Sequence, residues 1–158
     1  MIVRPATTDD VETVHRLICD LAAYEHAAHE VVATVAQLHD ALFGDDVHVH
    51  CHVAELDGEV VGLALWFLNF STWLGTSGLY LEGLYVTSAC RGQGIGTTLM
   101  RALANICVER GYARFEWSVL DWNTPSIDFY RSIGAVAMDE WTTYRLEGDA
   151  LRDYVARD

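Results

Sequence analysis

The sequence contains no lysine: its ten basic residues are all arginines, against 23 aspartates and glutamates, and the net charge is −13. A Walker-A phosphate loop requires a lysine, and so does Schiff-base catalysis, so both are excluded. A nucleic-acid-binding protein requires a basic surface, which so acidic a chain does not provide. The acidic balance favours a cationic substrate or partner, and the alternative is a surface charge that serves only solubility.

Prolines, paired cysteines and long apolar runs are also scarce. The 158 residues include only two prolines, so no proline-rich linker divides the chain, and we expect a single domain over residues 1–158. The four cysteines show no C-x-x-C spacing, which indicates reduced thiols in a cytoplasmic protein. The N-terminus lacks the pattern of a signal peptide, and the longest apolar run falls short of the about 20 residues that span a bilayer. We therefore expect no membrane association.

Hydrophobic periodicity and turn residues predict a succession of strands and helices. Thr34 and Gln37 form a capping-box pair that begins a helix, Gly44 ends that helix, and Asp57-Gly58 predicts a hairpin turn. Predicted strands cover residues 2–6, 47–56, 60–70, 79–86 and 114–120, with a last strand or hairpin over 136–146. Predicted helices follow Thr7 or Thr8, Thr34 and residue 94, and cover 123–131 and 149–156. This order predicts an α/β (α+β) fold in which helices flank a mixed sheet of about six to seven strands.

Residues 91–100 read RGQGIGTTLM and lie between a predicted strand and a predicted helix. A dinucleotide-binding fingerprint requires G-x-G-x-x-G in the first strand–helix turn, whereas this loop follows four predicted strands and carries Thr97 at the last position. Glycines let a backbone fold closely around a ligand, and the N-terminus of the next helix attracts anions. The loop therefore suits a pyrophosphate, with Arg91 as a nearby cation, and the alternative is a tight turn without a ligand.

Residues 91–97, RGQGIGT, resemble the acyl-CoA pyrophosphate loop of the GCN5-related N-acetyltransferases (GNAT), whose pattern is R/Q-x-x-G-x-G/A. Residues 123–134, NTPSIDFYRSIG, resemble a second block of the same family. The stretches VRPATTDD, LICDLAAYE, HCHVAE, LYLEGLYV and WNTPSIDFYRSIGA are similar to the diamine (spermidine/spermine) acetyltransferases and their thialysine-acetylating relatives. These stretches lie within residues 3–135, most of the chain. The resemblance implies the GNAT fold and direct acetyl transfer from acetyl-CoA to a primary amine within a ternary complex, without a metal.

The resemblance also implies which residues hold acetyl-CoA. The pantetheine arm is expected to lie along the strand that ends at residue 86, where a backbone N–H meets the oxyanion. The glycine loop is expected to bind the pyrophosphate, and the second block adds further contacts. The implied cofactor-binding residues are Leu84, Tyr85, Val86, Arg91, Gly92, Gln93, Gly94, Ile95, Gly96, Thr97, Asn123, Pro125, Ser126 and Arg131.

Two residues are candidates for proton transfer. An alkylamine has a pKa of about 10, so a base must help it lose a proton before it can attack the thioester. Glu82, on the strand before the glycine loop, is the candidate base, and the alternative is that it only anchors the substrate cation. Tyr130 is the candidate acid, because a phenol keeps its proton at neutral pH and can give it to the departing thiolate.

The acceptor side is implied by the resemblance as well. The expected substrate-binding residues are Tyr24, Glu25, Glu82, Glu116, Trp117, Ser118 and Asp121. Diamine enzymes of the family often carry a second acid directly after the strand glutamate, and this chain has Gly83 there. Their acidic pair before the last strand is only loosely matched by Asp139-Glu140. With fewer acids to hold a long polycation, a shorter diamine or a thialysine-like amino acid becomes a plausible acceptor.

Some features remain open to more than one reading. His48, His50 and His52 alternate in one predicted strand, share a face and could bind zinc. Neighbouring residues on one face of a strand are about 7 Å apart, so the outer two histidines would not easily reach one metal ion. The alternative is a polar sheet face or a dimer surface. A homodimer is expected from the resemblance alone. Two other functions stay possible: an acyl-CoA-binding or interaction module without catalysis, and an acetyltransferase for proteins or peptides.

Overall fold

A computed structural model of the chain describes residues 1–156, which form two compact units divided after Leu120. The first unit contains a five-stranded sheet and three α-helices, and the second contains two helices. The elements of the first unit are β1 (Ile2–Pro5), α1 (Val11–Tyr24), α2 (Val35–Phe43), β2 (His50–Leu56), β3 (Glu59–Ser71), β4 (Thr76–Val86), α3 (Ile95–Arg110) and β5 (Phe115–Trp117). The second unit has α4 (Thr124–Ser132) and α5 (Gly148–Val155). The expectation of a single domain stays a prediction.

The sheet is mixed, as predicted, with the strand order β1-β2-β3-β4-β5. The first four strands are antiparallel to their neighbours, and β5 joins β4 in parallel. The predicted hairpin turn at Asp57-Gly58 is confirmed, because both residues have the positive φ that a two-residue turn of this kind requires. The capping box of Thr34 and Gln37 is confirmed as well, since each residue bonds the backbone N–H of the other.

The count of six to seven strands was too high, because no strand forms over residues 136–146 in the described part of the chain. Apolar alternation predicts a strand only where a neighbouring strand accepts its backbone hydrogen bonds. Here Val136, Met138, Trp141 and Tyr144 are exposed, and no ladder includes them. Two further strands are shorter than predicted: β2 begins at His50 and β5 covers only Phe115–Trp117.

Helices cover both faces of the sheet. One face carries Cys51, Val53 and Leu63, which pack with Val14 and Leu17 of α1 in the main buried cluster. Alternate strand residues point the other way, toward α3, where Gly62 lies beside Leu99. In the described residues, no helix is long and apolar enough to cross a membrane.

A buried carboxylate ties β1 to the start of α1. Asp10 is 7% exposed, and its two carboxylate oxygens accept from the Arg4 guanidinium at 2.7 and 3.0 Å. The backbone N–H and the hydroxyl of Thr7 donate to the same carboxylate at 2.7 and 2.9 Å. The hydrogen bond from Arg4, with those from Thr7, lowers the pKa of Asp10 from 3.8 to about 2 against the opposing effect of burial. The ionised form of Asp10 therefore stabilises the fold.

The Asp10 network predicts a specific loss of stability in acid. Because its pKa is lower in the folded state, the contribution is complete above about pH 4 and is lost as the pH falls toward 2. We expect Asp10→Asn to reduce the free energy of unfolding at pH 7 by about 1–2 kcal/mol and to flatten its fall between pH 5 and 3. Denaturant titrations at several pH values measure this. Asp9→Asn, at the exposed neighbouring position, is the matched control and should keep the wild-type slope; an unchanged slope in Asp10→Asn would contradict the assignment.

Candidate active site

Strand β4 runs beyond its partner β5 and leaves part of its backbone edge unpaired. The two strands pair only from Leu79 to Leu81, opposite Phe115–Trp117, whereas β4 continues to Val86. Along residues 82–86, which include the predicted cofactor residues Leu84, Tyr85 and Val86, no described strand pairs with that edge. Unpaired strand edges bind extended ligands through backbone hydrogen bonds. The open edge therefore suits an extended arm such as pantetheine.

Glu82 lies in a β-bulge at the start of this open segment. Opposite it on β3, the register passes from Leu65 paired with Gly83 to Trp66 paired with Leu81, so Glu82 has no β3 partner. A bulge redirects a side chain, and bulges are frequent beside active sites. The side chain of Glu82 is exposed, which places a carboxylate within reach of solvent at the point where β4 and β5 stop pairing. The sequence indicated the residue but not the bulge.

The glycine loop forms an uncapped helix start. Gly92 and Gly94 have φ angles of 75° and 76°, a backbone conformation that residues with a side chain rarely adopt. No atom lies within 4 Å of the place where a Cβ would stand at either residue. Gly94 is the N-cap of α3 and makes no side-chain cap hydrogen bond, whereas Thr34 caps α2. The first N–H groups of α3 are therefore left for a ligand, at the positive end of the helix. This geometry fits the pyrophosphate that the loop sequence predicts.

Replacing Gly94 by alanine separates this role from a simple turn. A side chain at φ 76° strains the backbone, so we expect Gly94→Ala to lose about 1–2 kcal/mol of stability and to raise the KM for acetyl-CoA at least about tenfold. Gly75→Ala is a matched control, because Gly75 has φ 67° with open space around it, in the β3–β4 turn. It should lose similar stability but keep the wild-type KM. An equal rise of KM in both variants, or in neither, would contradict a loop that binds the donor.

The side chain of Arg91 connects the loop to the end of α1. Its Nε donates to the backbone oxygen of Val86 at 3.0 Å. Its guanidinium carbon lies 4.7 Å from the ring centroid of Tyr24 and 5.2 Å from that of Tyr85. Both distances are within the range of cation–π attraction. Arg91 thus brings together a predicted acceptor-side residue and the predicted donor strand, contacts that the sequence did not reveal.

Glu25 is a half-buried carboxylate at the C-terminal end of α1. Burial raises its pKa, and no described cation lies within ion-pair distance of it. The negative end of a helix also disfavours a carboxylate. An amine cation bound beside Glu25 would relieve both effects. A partly buried carboxylate whose pKa is raised is a candidate binding residue.

A side chain at position 83, where a second acid would follow Glu82, would crowd α1. A Cβ at position 83 would lie 3.3 Å from Cδ2 of Leu21 in α1, closer than most side-chain contacts. Leu21 therefore presents an apolar surface where a longer side chain would otherwise stand. The sequence showed that position 83 lacks an acid, but only the structure shows that Leu21 packs over this position.

The predicted acceptor residues on β5 and directly after it already have partners inside the first unit. An oxygen of Glu116 lies 2.7 Å from Nε of Arg114 and accepts from the Asn69 amide at 3.1 Å. The hydroxyl of Ser118 lies 2.8 Å from that of Tyr80. The charge of Glu116 is thus largely compensated, which weakens it as an anchor for an amine. Trp117 ends β5, with its ring 4.9 Å from that of Phe115.

The second unit carries the other predicted residues on and around α4. The side chain of Asn123 caps this helix by accepting from the Ser126 N–H at 3.4 Å, and Pro125 occupies the first turn. Tyr130 and Arg131 lie in the last turn, where the Tyr130 ring is 5.5 Å from that of Phe129. Asp121 is exposed at the start of the unit. Asn123 and Pro125 thus have a local structural role, which is independent of any cofactor contact.

The three histidines do not share one strand face. His48 precedes β2, is exposed, and lies 3.7 Å from Asp46, so only His50 and His52 belong to the strand. Among residues 1–156, no three His, Cys, Asp or Glu side chains are arranged to hold a metal ion. All four cysteines are free, and burial raises the pKa of Cys51 to about 12, so that thiol stays protonated.

Comparison with known families identifies the class of this site. Residues 14–135 match the model of the Acetyltransferase (GNAT) family, which is more than half of the chain. The chain therefore belongs to the GNAT family of acetyltransferases, and it is an N-acetyltransferase. The fold class expected from the glycine loop and the second block is confirmed.

Individual relatives extend this likeness over nearly the whole chain. A thialysine N-epsilon-acetyltransferase of Mus musculus is 36% identical over 166 residues, covering 98% of this chain and 97% of its own length. The L-ornithine N5-acetyltransferase NATA1 of Arabidopsis thaliana is 30% identical over 195 residues, covering 95% of this chain and 86% of its own. An integron cassette protein from the mobile metagenome of V. cholerae has a similar solved structure, with a TM-score of 0.82, 26% identity, and coverage of 99% and 98%. The resemblance to thialysine-acetylating enzymes is thus confirmed at the level of sequence.

Proposed function

We propose that the protein transfers acetyl from acetyl-CoA to a primary amine of a small cationic molecule, by direct attack of the amine on the thioester. The observation that carries the proposal is the juxtaposition on β4: a bulged glutamate, an open strand edge and an uncapped glycine loop follow one another within residues 82–97. Donor and acceptor sites of a transferase must adjoin in this way, because the reacting atoms must meet.

The donor would be held mainly by backbone groups, to which Arg91 and Arg131 add the predicted basic side chains. The uncapped start of α3 supplies N–H donors for the pyrophosphate, and the open edge of β4 supplies backbone partners for the pantetheine amides. A protein with net charge −13 repels a polyphosphate at long range, so local helix-terminus attraction has to offset that repulsion. Acetyl-CoA supplies the activated acetyl group when it is bound.

Glu82 acts in this proposal as the general base, and Tyr130 as the general acid. The exposed carboxylate of Glu82 at the bulge can take a proton from the incoming ammonium, directly or through water. Tyr130 gives its phenolic proton to the sulfur of the departing coenzyme A, because a phenol with a pKa of about 10 is protonated at neutral pH. Tyr130 then regains a proton from solvent.

The acceptor is proposed to be a small cationic amino acid with a side-chain amine, of the kind named for the murine and plant relatives. Glu25 offers a half-buried carboxylate without a described cation partner. Leu21 packs over Gly83, the residue after Glu82, and supplies an apolar surface there, which suits a short methylene or thioether stem. A di- or polyamine is the second candidate, favoured by the acidic net charge.

Steady-state kinetics across acceptors test this assignment. Coenzyme A release is measured with thialysine, ornithine, lysine, putrescine, spermidine, spermine and a lysine-containing peptide at constant acetyl-CoA. We expect the highest kcat/KM for an amino acid with a side-chain amine, and lower values as the chain of a polyamine lengthens. A preference for spermine would favour the polyamine alternative, and turnover of the peptide alone would contradict both.

Replacing Glu25 by glutamine should weaken binding of the amine and raise the free energy of unfolding. The charged carboxylate is unfavourable in the free protein, since its raised pKa means that folding favours the protonated form. We therefore expect Glu25→Gln to raise the free energy of unfolding at pH 7 by about 0.5 kcal/mol, while the KM for the amine rises about tenfold and that for acetyl-CoA does not change. Glu12→Gln, at the exposed N-terminal end of the same helix, is the control and should not raise the amine KM. Equal amine KM values in both variants would remove Glu25 from the acceptor site.

The homodimer and the cytoplasmic location remain predictions from the resemblance and from the composition. Size-exclusion chromatography with light scattering tests the first of these directly. A mass of one chain at micromolar concentration would contradict the dimer.

A further inference from the structure

A cavity of about 360 Å³ lies in the first unit, between the end of β1, the start of β2 and the middle of β3 on one side and α2 and α3 on the other. Its aromatic and charged lining residues are Phe43, His50, His52, Trp66 and Arg110. Arg110 is the last residue of α3, 14 residues after Gly96, so it lies about 21 Å along the helix from the glycine loop. The cavity shares no lining residue with the open edge of β4 or with the glycine loop.

The histidine deepest in this cluster has a defined tautomer. The indole Nε1–H of Trp66 donates to Nδ1 of His52 at 3.1 Å. An indole nitrogen can only donate, so Nδ1 is unprotonated and neutral His52 carries its proton on Nε2. Burial, with a smaller effect of His50, lowers the pKa of His52 and favours this neutral form. No described residue accepts a hydrogen bond from Nε2, which leaves a donor available.

The cationic group at this cavity is Arg110, an exposed residue that forms no ion pair within 4.0 Å among the described residues, although Glu109 precedes it in the chain. One guanidinium N–H of Arg110 donates a long hydrogen bond, 3.5 Å, to the hydroxyl of Tyr112. Burial and, to a smaller extent, the charge of Arg110 lower the pKa of His50, and both residues line the cavity. No aspartate or glutamate lines the cavity, although the chain contains 23 of them. The cavity thus has hydrogen-bond donors on Arg110 and His52 but no carboxylate side chain in its lining.

The walls of the cavity combine aromatic rings with aliphatic side chains such as Leu42 and Ile106. The His50 ring lies 4.5 Å from that of the buried Trp66 at an interplanar angle of 32°, and Phe43 lines the same space. Flat apolar walls favour a planar ligand, and a guanidinium fork binds a carboxylate through two parallel hydrogen bonds. A volume of about 360 Å³ is at the small end of the range for ligand sites.

We propose that this cavity is a second small-molecule site, which binds a planar aromatic carboxylate. The ring of the ligand lies against the half-buried His50 and Phe43 rings, and its carboxylate accepts from Arg110 and from Nε2–H of His52. The proposal is independent of the acceptor of the acetyl group, because it shares no residue with the β4 site.

Titration calorimetry with 2-naphthoate, on the purified full chain, tests the proposal. We expect one equivalent to bind with a submillimolar Kd, and the matched alcohol 2-naphthalenemethanol and inorganic phosphate to bind at least about tenfold more weakly. Arg110→Gln should weaken 2-naphthoate at least about tenfold, whereas Arg101→Gln, an exposed arginine on the same helix outside the cavity, should not change it. In NMR spectra, the indole N–H signal that disappears in Trp66→Phe should shift on binding.

Four results would overturn the proposal. The first is no binding of 2-naphthoate at millimolar concentration. The second is equal affinity of wild type and Arg110→Gln for 2-naphthoate. The third is equal affinity of the wild type for 2-naphthoate and phosphate. The fourth is displacement of bound 2-naphthoate by acetyl-CoA, which would locate it in the donor site instead.

Discussion

Tyr130→Phe is expected to lower kcat by about 100-fold or more while leaving the affinity for acetyl-CoA unchanged. The substitution removes only the phenolic hydroxyl, so the departing thiolate has to take its proton from water. The ring of phenylalanine keeps the contact with Phe129 within α4. Single-turnover kinetics of coenzyme A release, with calorimetric titration of acetyl-CoA, measure the two quantities separately.

Tyr154→Phe is the matched control, because Tyr154 is an exposed tyrosine of α5 in the same unit. It should keep the wild-type rate. A Tyr130→Phe variant that retains full kcat would remove Tyr130 as the acid, and a variant whose acetyl-CoA affinity falls as much as its rate would make it a binding residue.

Glu82→Gln is expected to lower kcat/KM for the amine by about 100-fold at pH 7. Without the carboxylate, only the fraction of amine that is already neutral can attack, and this fraction grows about tenfold per pH unit below a pKa of about 10. The variant should therefore recover activity steadily as the pH rises from 7 to 9, with a steeper slope than the wild type. Steady-state kinetics over this pH range measure the slope.

Glu59→Gln serves as the control for this experiment, since Glu59 is an exposed glutamate of the neighbouring strand β3. Its pH profile should coincide with that of the wild type. A Glu82→Gln variant that raises only the KM of the amine, with kcat and pH slope unchanged, would show that the carboxylate anchors the substrate and does not remove its proton.

Local sequence signals predicted those elements whose cause is local. Thr34 with Gln37 begins α2, Asp57-Gly58 forms the hairpin turn, and Gly94, in the left-handed conformation that glycine allows, precedes α3. Each of these features depends on a few neighbouring residues. The same holds for the glycine loop, where the sequence predicted an anion site and the structure has an uncapped helix start.

Features that depend on distant residues were not predictable in this way. The bulge at Glu82 arises from the pairing of β4 with β3, and the early end of β5 depends on where β4 separates from it. Apolar alternation over residues 136–146 predicted a strand, but the described residues offer it no ladder. The Arg91 guanidinium lies near the rings of both Tyr24 and Tyr85. This position requires α1 to pack on β4, and no local sequence pattern predicts that packing.

We propose that this chain moves acetyl from acetyl-CoA to the amine of a small cationic molecule. The most direct test incubates the purified protein with acetyl-CoA and thialysine, then compares the free thiol of coenzyme A with the acetylated amine identified by mass spectrometry. We expect one side-chain N-acetyl group for each thiol released, and no product when acetyl-CoA is omitted. Binding of acetyl-CoA without an acetylated product from thialysine or any other small primary amine would contradict it.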